Sequence, residues 1–318
     1  MSVSLTHTNR NARQTKGRNA MNAPVTNTAT PLARKALLVK LTSTRPTTSR
    51  REKAAEAIIQ QQTGDASLTV SSHIFRARTN PVRKVLNESG EVYAWHCEHT
   101  LPWQDRGPRL LPLETYETYS TKMRGMISGL ESSVVSLESI YDGLVQADIT
   151  ERQTGGATTA RDYSTDYPSF EEFKDKMKFA FTFSPVPDAS HFLFDINEDD
   201  KAALAAQVVE AEKSAKAQLT EQMHAPLLHL IAKLKRAIGS EGAIFRDSAL
   251  ENIVEQCEVA ESLAMGDEAL LAMIQEVRVA IRPHALAPNQ LRESPVVRAD
   301  TAHKLAAVAS RMSFMMGN

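Results

Sequence analysis

The densest group of potential metal ligands lies in the string WHCEHTLPW, which contains His96, Cys97 and His99. On a helix His96 and His99 would share a face at a spacing of three residues, whereas Cys97 would point elsewhere. A structural zinc site needs further ligands, and no second pair follows at the usual spacing. We therefore expect no metal here. We interpret the string as a helix end, with Trp95 and Trp103 in the core and His99 near the last carbonyl groups.

Other arrangements that could support catalysis are weaker. Cys97 and His99 are nearly adjacent in sequence, and no third group can be identified that would orient them as a nucleophile and a base. Neither of the glycine-rich phosphate-binding motifs, GxxxxGK[ST] and GxGxxG, occurs. Carboxylates such as Glu172 and Glu198 fall at expected helix starts, where the helix dipole accounts for them. We therefore expect a protein that is not an enzyme and that has no cofactor.

Binding of phosphate or of an acidic partner is suggested by the basic N-terminal third. Residues 1–92 hold 15 Lys and Arg against 5 Asp and Glu, and no acidic residue precedes Glu52. Phe75 and Tyr93 are near part of this set, and rings beside cations suit single-stranded nucleic acid. A solvated helix face gives the same pattern. The candidate contacts are Arg10, Arg13, Lys16, Arg18, Arg34, Lys35, Arg76, Arg78, Arg83 and Lys84.

The first 33 residues carry four basic residues and no acidic one, and we expect them to form a disordered basic arm. Such an arm can bind nucleic acid, a membrane surface or an acidic neighbour. The same composition fits an organelle presequence. Two plainer interpretations are a tail without function and a misassigned start, with Met21 as the true first residue.

The elements that must position these residues are dominated by one heptad pattern. Apolar residues spaced alternately by four and three are typical of a helix that packs along its length against another helix. We predict one helix from Leu113 to Ile149, buried against the apolar stripe Leu204–Leu219 or against another copy of the chain. The residues of this self-association seam are Met123, Ile127, Leu130, Val134, Leu137, Tyr141 and Leu144.

Two short segments, 37–42 and 178–184, show the alternation of a strand and should form a small sheet. Residues 101–112 contain three prolines and a glycine, which predicts a turn. The expected fold is mainly α: an elongated antiparallel bundle of coiled-coil-like long helices with a small β-sheet. The expected segments are a disordered basic arm (1–33), an N-terminal α+β segment (34–112), a long-helix bundle with the small sheet (113–240) and C-terminal helices (241–318).

Two strings carry a resemblance to a known family: WHCEHTLPWQDRGPRLLP, and YPSFEEFKDKMKF followed by SPVP. Across about residues 36–240 the chain resembles uncharacterised proteins encoded by tailed phages and integrative conjugative elements. The resemblance implies genes near a MoxR/CobS-like AAA+ ATPase and a von Willebrand A-like partner, or near recombination genes. It implies no activity. It implies structural roles for Leu101, Pro102 and Trp103 as a corner, and for Pro168 and Phe179 as the entry to the small sheet.

The composition is that of a protein from a reducing compartment. The sequence contains two cysteines, no apolar run of about 18 residues that could span a bilayer, and no apolar segment typical of a secretory signal. We therefore expect a location in the cytoplasm of a bacterial host cell and no membrane partner.

The function we expect is that of a non-enzymatic assembly-forming or adaptor protein of a phage or mobile genetic element. Its expected partners are further copies of itself, in a homo-oligomer, and a MoxR-like AAA+ ATPase. The alternative is a nucleic-acid-binding accessory protein of phage recombination or replication, which would act through the basic N-terminal third.

Overall fold

Helices dominate the structure, a computed structural model, and a small antiparallel sheet lies among them. Within the described part of the chain, no helix combines the length and the apolar character needed to cross a bilayer. The residues described are 31–77, 79–103, 107–154, 162–187, 197–236 and 248–316.

Eleven α-helices occur in these ranges, together with two short 3-10 helices. The α-helices are α1 (Pro31–Lys35), α2 (Lys53–Thr63), α3 (Pro81–Glu98), α4 (Tyr116–Ser136), α5 (Tyr141–Thr154), α6 (Phe170–Lys176), α7 (Glu198–Lys235), α8 (Ser248–Leu263), α9 (Glu268–Leu286), α10 (Asn289–Glu293) and α11 (Pro295–Met315). The 3-10 helices are Leu113–Thr115 and Ser164–Asp166.

Among the described residues, six strands form two antiparallel sheets. The strands are β1 (Ala36–Thr44), β2 (Ser49–Arg51), β3 (Ser71–His73), β4 (Leu101–Pro102), β5 (Arg109–Pro112) and β6 (Lys178–Pro185). The larger sheet has the order β4-β5-β1-β6, and β2 pairs with β3 in a separate two-stranded ribbon. In the larger sheet Val39 is opposite Phe183 and Leu41 is opposite Phe181, so the two segments predicted as strands are neighbours.

The larger sheet separates two hydrophobic cores. Successive residues of a strand point to opposite faces. Accordingly, Leu38 of β1 and Leu110 of β5 are buried in the first core, whereas Val39 and Leu111 are buried in the second. The sheet therefore has a helical layer against each of its faces.

The first core is built around α7, which has 38 residues. Helices α8 and α11 pack against α7, and α9 packs against both of them. The predicted stripe on α7 is buried from Val208 to Leu219. Its partners are these C-terminal helices and β4, not the heptad seam.

The second core contains the heptad seam, which packs beside α3 and against the sheet. Phe75, between β3 and α3, is also buried there, although its φ of 55° is left-handed, a conformation that bulky residues rarely adopt. The carboxylate of Asp148 accepts a hydrogen bond from the Phe75 N–H (2.9 Å) and another from the Tyr167 hydroxyl. The Phe75 ring contacts the rings of Tyr141 and Tyr167, which fixes this unusual backbone position.

The prediction of a single seam helix is wrong. Helix α4 ends at Ser136, residues 137–140 form turns, and α5 starts at Tyr141. Tight backbone bonds mark the break, including Leu137 N–H to Val134 O and Ile140 N–H to Leu137 O, both 3.0 Å. The apolar spacing continues through the break because Leu137 and Tyr141 both still point into the second core.

Two further expectations about local structure need correction. The segment predicted as a turn contains β4 and β5 at its two ends, where Leu101, Leu110 and Leu111 are buried. Pro102 and Pro112 are tolerated because each is the last residue of its strand. The predicted arm (1–33) overlaps α1, which starts at Pro31, and residues 1–30 lie outside the described residues.

Two helix ends are defined by their hydrogen bonds. Ser169 and Glu172 form a reciprocal capping box at the start of α6. Gly64 ends α2 in the left-handed conformation with φ 70°, and its N–H donates to Gln60 O (2.9 Å).

Shortening one side chain of the seam tests whether the seam is buried within one copy of the chain. Leu137→Ala should lower the free energy of unfolding by about 2–5 kcal/mol, because Leu137 is 1% exposed and its loss leaves a cavity. Val135→Ala is the matched control, since Val135 is 54% exposed on the same helix end. The measurement is urea unfolding at pH 7, and equal stability of the two variants would contradict this placement.

Candidate functional site

The three potential metal ligands of the string WHCEHTLPW have separate partners at the end of α3. The His96 ring is buried, and its Nδ1 is 2.7 Å from the Tyr119 hydroxyl. His99 Nδ1 donates to Trp95 O (2.9 Å), and its ring stacks on the Trp95 indole. The Cys97 carbonyl accepts from Arg109, which also donates to Thr100. The described residues hold no cluster of three or more His, Cys, Asp or Glu that could bind a metal ion.

Burial decides the protonation of His96. Desolvation, followed by the charge of Arg109, lowers the pKa of His96 to about 4. The imidazole is therefore neutral at pH 7 and forms its hydrogen bond with Tyr119 without a buried charge. This arrangement is that of a core residue. Of the two indoles predicted in the core, Trp103 is buried in the first core and Trp95 is half-buried at the margin of the second.

A buried arginine, Arg152, fixes the β2–β3 ribbon to α5. Its guanidinium donates to Asp166 Oδ2 (3.0 Å), to Glu52 Oε1 (3.1 Å) and to the Ser72 hydroxyl (2.9 Å). It also lies 4.4 Å from the centroid of the Tyr163 ring. Two carboxylates surround one cation, so the ribbon and the segment that leads into α2 have a defined position on the second core.

Helix α2 continues from this anchored segment and is held to the ribbon by polar contacts. Glu56, the only buried residue of α2, accepts from Arg51 Nε (2.7 Å) and Arg51 Nη2 (2.5 Å). These bonds hold the pKa of the Glu56 carboxyl below its usual range. Gln60 Nε2 donates to Leu68 O (2.7 Å), which folds the following loop back along the helix.

Helix α2 exposes two large apolar side chains beside alanines and glutamines, and a third follows in the loop after the helix. Ile58 is 57% exposed, and Ile59 and Leu68 are each 37% exposed. A buried carboxylate and neighbouring exposed apolar side chains on one short segment depart from the usual distribution, in which polar groups face water. We name Ile58, Ile59 and Leu68 the α2 surface and treat it as the candidate interaction site.

The seam proposed for self-association lies elsewhere and is already covered. Met123, Leu130, Val134, Leu137 and Tyr141 are buried in the second core by residues of the same chain. Ile127 and Leu144 are half-buried at its margin. A second copy could reach most of the seam only if α3 and the sheet moved away, so the α2 surface is the better candidate.

The basic candidate contacts fall into two separate regions. Arg34 and Lys35 are on α1 beside the first core, and Lys35 Nζ donates to Met265 O at the turn between α8 and α9. Arg76 and Lys84 are exposed, and Arg83 is half-buried, near the start of α3 beside the second core. The predicted residues Arg10, Arg13, Lys16, Arg18 and Arg78 lie outside the described residues.

The aromatic rings expected beside these cations are not available for stacking on bases. Phe75 is buried. Tyr93 is 50% exposed, but the Arg45 guanidinium lies 5.8 Å from its centroid and also donates to Ser89 O. The basic cluster near α3 therefore lacks the interleaved exposed rings on which part of the nucleic-acid interpretation depended.

Comparison with protein-family models, with curated proteins and with solved structures finds no match to this chain.

The Arg152 network is tested by removing its cation. Arg152→Met should lower the free energy of unfolding by about 3–5 kcal/mol, because it leaves Asp166 and Glu52 without their shared partner in a buried site. Arg311→Met is the control, since Arg311 and Glu276 form an ion pair with both side chains about half exposed. That control should cost about 0–1 kcal/mol. Equal losses in urea unfolding would contradict the role of Arg152.

The His96–Tyr119 contact predicts a pH dependence of stability. The pKa of His96 is lowered from 6.5 to about 4, so its contribution is fully present above pH 6.5 and is lost as the pH falls towards 4. Between pH 7 and pH 4.5 this amounts to about 2.5 kcal/mol.

The measurement compares urea unfolding of the wild type and of His96→Gln at both pH values. The variant should be less stable at pH 7 and closer to the wild type at pH 4.5. His229→Gln, an exposed replacement, should follow the wild type. A stability difference between His96→Gln and the wild type that is the same at both pH values would contradict the burial of a neutral imidazole.

Proposed function

We propose that this chain is a non-enzymatic assembly-forming or adaptor protein that associates with a second copy of itself through the α2 surface. The observation that carries the proposal is the exposure of Ile58 and Ile59 on a helix whose buried residue is a carboxylate. Removing such a surface from water favours association by about 25 cal/mol for each Å² of apolar area buried.

A second copy is the partner that the chemistry of α2 favours. After Lys53, Glu56 is the only charged residue of the helix, and it is neutralised by Arg51. The outward positions, which include Ile58, Ile59, Gln61 and Gln62, carry no charge. Such a surface can meet its own copy around a two-fold axis without repulsion. One helix of 11 residues offers little area, so the contact should be weak and depend on concentration.

The setting of this function follows from the resemblance of the two strings named above. We propose a protein of a phage or integrative conjugative element, active in the cytoplasm of a bacterial host and working with a MoxR-like AAA+ ATPase. Weak association of adaptor copies is consistent with assemblies that an ATPase remodels.

A charge placed on the α2 surface tests the proposal. Ile58→Glu/Ile59→Glu should remove self-association, because two copies would then bring four carboxylates together. Val209→Glu/Val279→Glu is the matched control, because it replaces two apolar residues outside α2 that are 66% and 63% exposed, and it should associate like the wild type. Native mass spectrometry and light scattering across a range of concentrations measure the mass. A wild type that stays monomeric, or an isoleucine variant that still assembles, would contradict the proposal.

The second candidate is a nucleic-acid-binding accessory protein of recombination or replication. Its support is the excess of basic residues in 1–92 and the exposure of Arg76 and Lys84 at the start of α3. In that case Arg76→Gln/Lys84→Gln should weaken binding to single-stranded DNA and reduce its salt dependence.

A further inference from the structure

A groove of about 450 Å³ lies where the C-terminal end of α7 meets the first half of α11. Four of the residues that line it are basic: Lys235 and Arg236 from the end of α7, and Arg298 and His303 from α11. None of the described residues that line the groove is acidic.

The positive charge of this basic groove is not balanced locally. Within the described part of the chain, none of the four residues forms an ion pair with a carboxylate. Arg298 is held in place by its own donors, since Nη1 donates to Leu291 O (2.9 Å) and Arg292 O (3.1 Å). Carbonyl acceptors fix the guanidinium without neutralising it, which leaves a positioned cation at the groove.

Helix ends account for the positions of three of these cations. Lys235 and Arg236 lie at the C-terminal end of α7, where cations are favourable for the helix itself. Arg298 donates to two carbonyls in the last turn of α10, which also favours a cation. Together with His303 these residues give one groove a lining of basic groups without a carboxylate, and we infer from this that it attracts an anionic ligand.

The apolar residues that line the rest of the groove indicate which chemical group the anionic ligand carries besides its charge. Ala299 is exposed and Ala306 is half-buried on α11, and their short side chains form a low apolar surface, whereas Ala302 between them is buried. Such a surface admits a flat ring, while the guanidinium of Arg298 suits the oxygen geometry of a phosphate. A groove of this volume is in the usual range for a small ligand.

We propose that the basic groove binds a nucleotide, with the phosphate at Arg298, Lys235 and Arg236 and the base against the alanines of α11. The nucleotide can be free or part of a single strand, since both present the same chemistry. This site belongs to the first core and is independent of the α2 surface and of the basic residues in the N-terminal third.

Binding is measured by the anisotropy of a labelled 12-nucleotide oligothymidine at several salt concentrations, with ADP as a competitor. Lys235→Gln/Arg236→Gln should weaken binding at least 10-fold at 50 mM salt. It should also reduce the slope of log affinity against log salt by about 1.4, the value for two lost contacts to a single strand. Lys122→Gln/Lys213→Gln removes the same charge from exposed positions outside the groove and should change the affinity less than 2-fold.

A second variant distinguishes binding in the groove from non-specific electrostatic attraction of the oligonucleotide to the protein. Ala299→Phe fills the groove without changing charge at an exposed position, and it should also weaken binding at least 10-fold. Competition by ADP would identify a free nucleotide as a ligand, and binding of the oligonucleotide alone would identify a strand. Both results support the site.

Three results would overturn it. One is that neither the oligonucleotide nor ADP binds at 50 mM salt. Another is that Lys122→Gln/Lys213→Gln loses as much affinity as Lys235→Gln/Arg236→Gln, which would indicate general electrostatic attraction. The third is that Arg76→Gln/Lys84→Gln abolishes binding while both groove variants bind normally, which would place the ligand at the start of α3.

Discussion

Adjacent residues of β1 point into different cores, and the rest of the structure depends on this alternation. Leu38 packs with the C-terminal helices around α7, whereas Val39 packs with the seam residues of α4 and α5. A shift of one residue in the register of β1 would exchange these faces and disrupt both cores at once. The eight-residue pairing of β1 with β6, and the pairing of β1 with β5 on its other side, hold that register. The sheet is small, but it determines where every helix can lie.

The way in which α2 is attached to the second core leaves its two isoleucines exposed to solvent. Arg152 of α5 reaches Glu52 at the start of α2 and Asp166 in a 3-10 helix, so the ribbon and α2 are anchored through charges rather than through apolar packing. Because Glu56 and Arg51 satisfy the inner side of α2, its isoleucines have no core to enter and remain in solvent. The exposure of the α2 surface is therefore a consequence of the anchoring, and this is the surface that we propose for contact with another copy.

Local signals in the sequence predicted much of this fold. The alternation in residues 178–184 predicted β6, and Glu172 was expected at a helix start, which is where α6 begins. The heptad spacing predicted burial but not continuity, since a turn at 137–140 can preserve which residues face the core. The strand pair at 101–112 was missed because its stability comes from pairing with β1, which is distant in sequence.

The candidate sites were harder to predict for the same reason. Arg152 and Glu52 are 100 residues apart, and no spacing rule connects them. The exposure of Ile58 and Ile59 could not be read from a pattern that looks like an ordinary helix, because it depends on the ion pair beneath. Phe75 and Tyr93 looked like stacking rings near cations, but tertiary packing buried one and placed Arg45 on the other.

Amide hydrogen exchange of α2 as a function of protein concentration tests the central claim most directly. If copies meet through the α2 surface, protection of residues 53–63 should rise with concentration while the amides of α7 and β1 exchange at constant rates. If α2 exchanges equally fast at every concentration, or if the added protection appears elsewhere, the α2 surface is not the contact between copies.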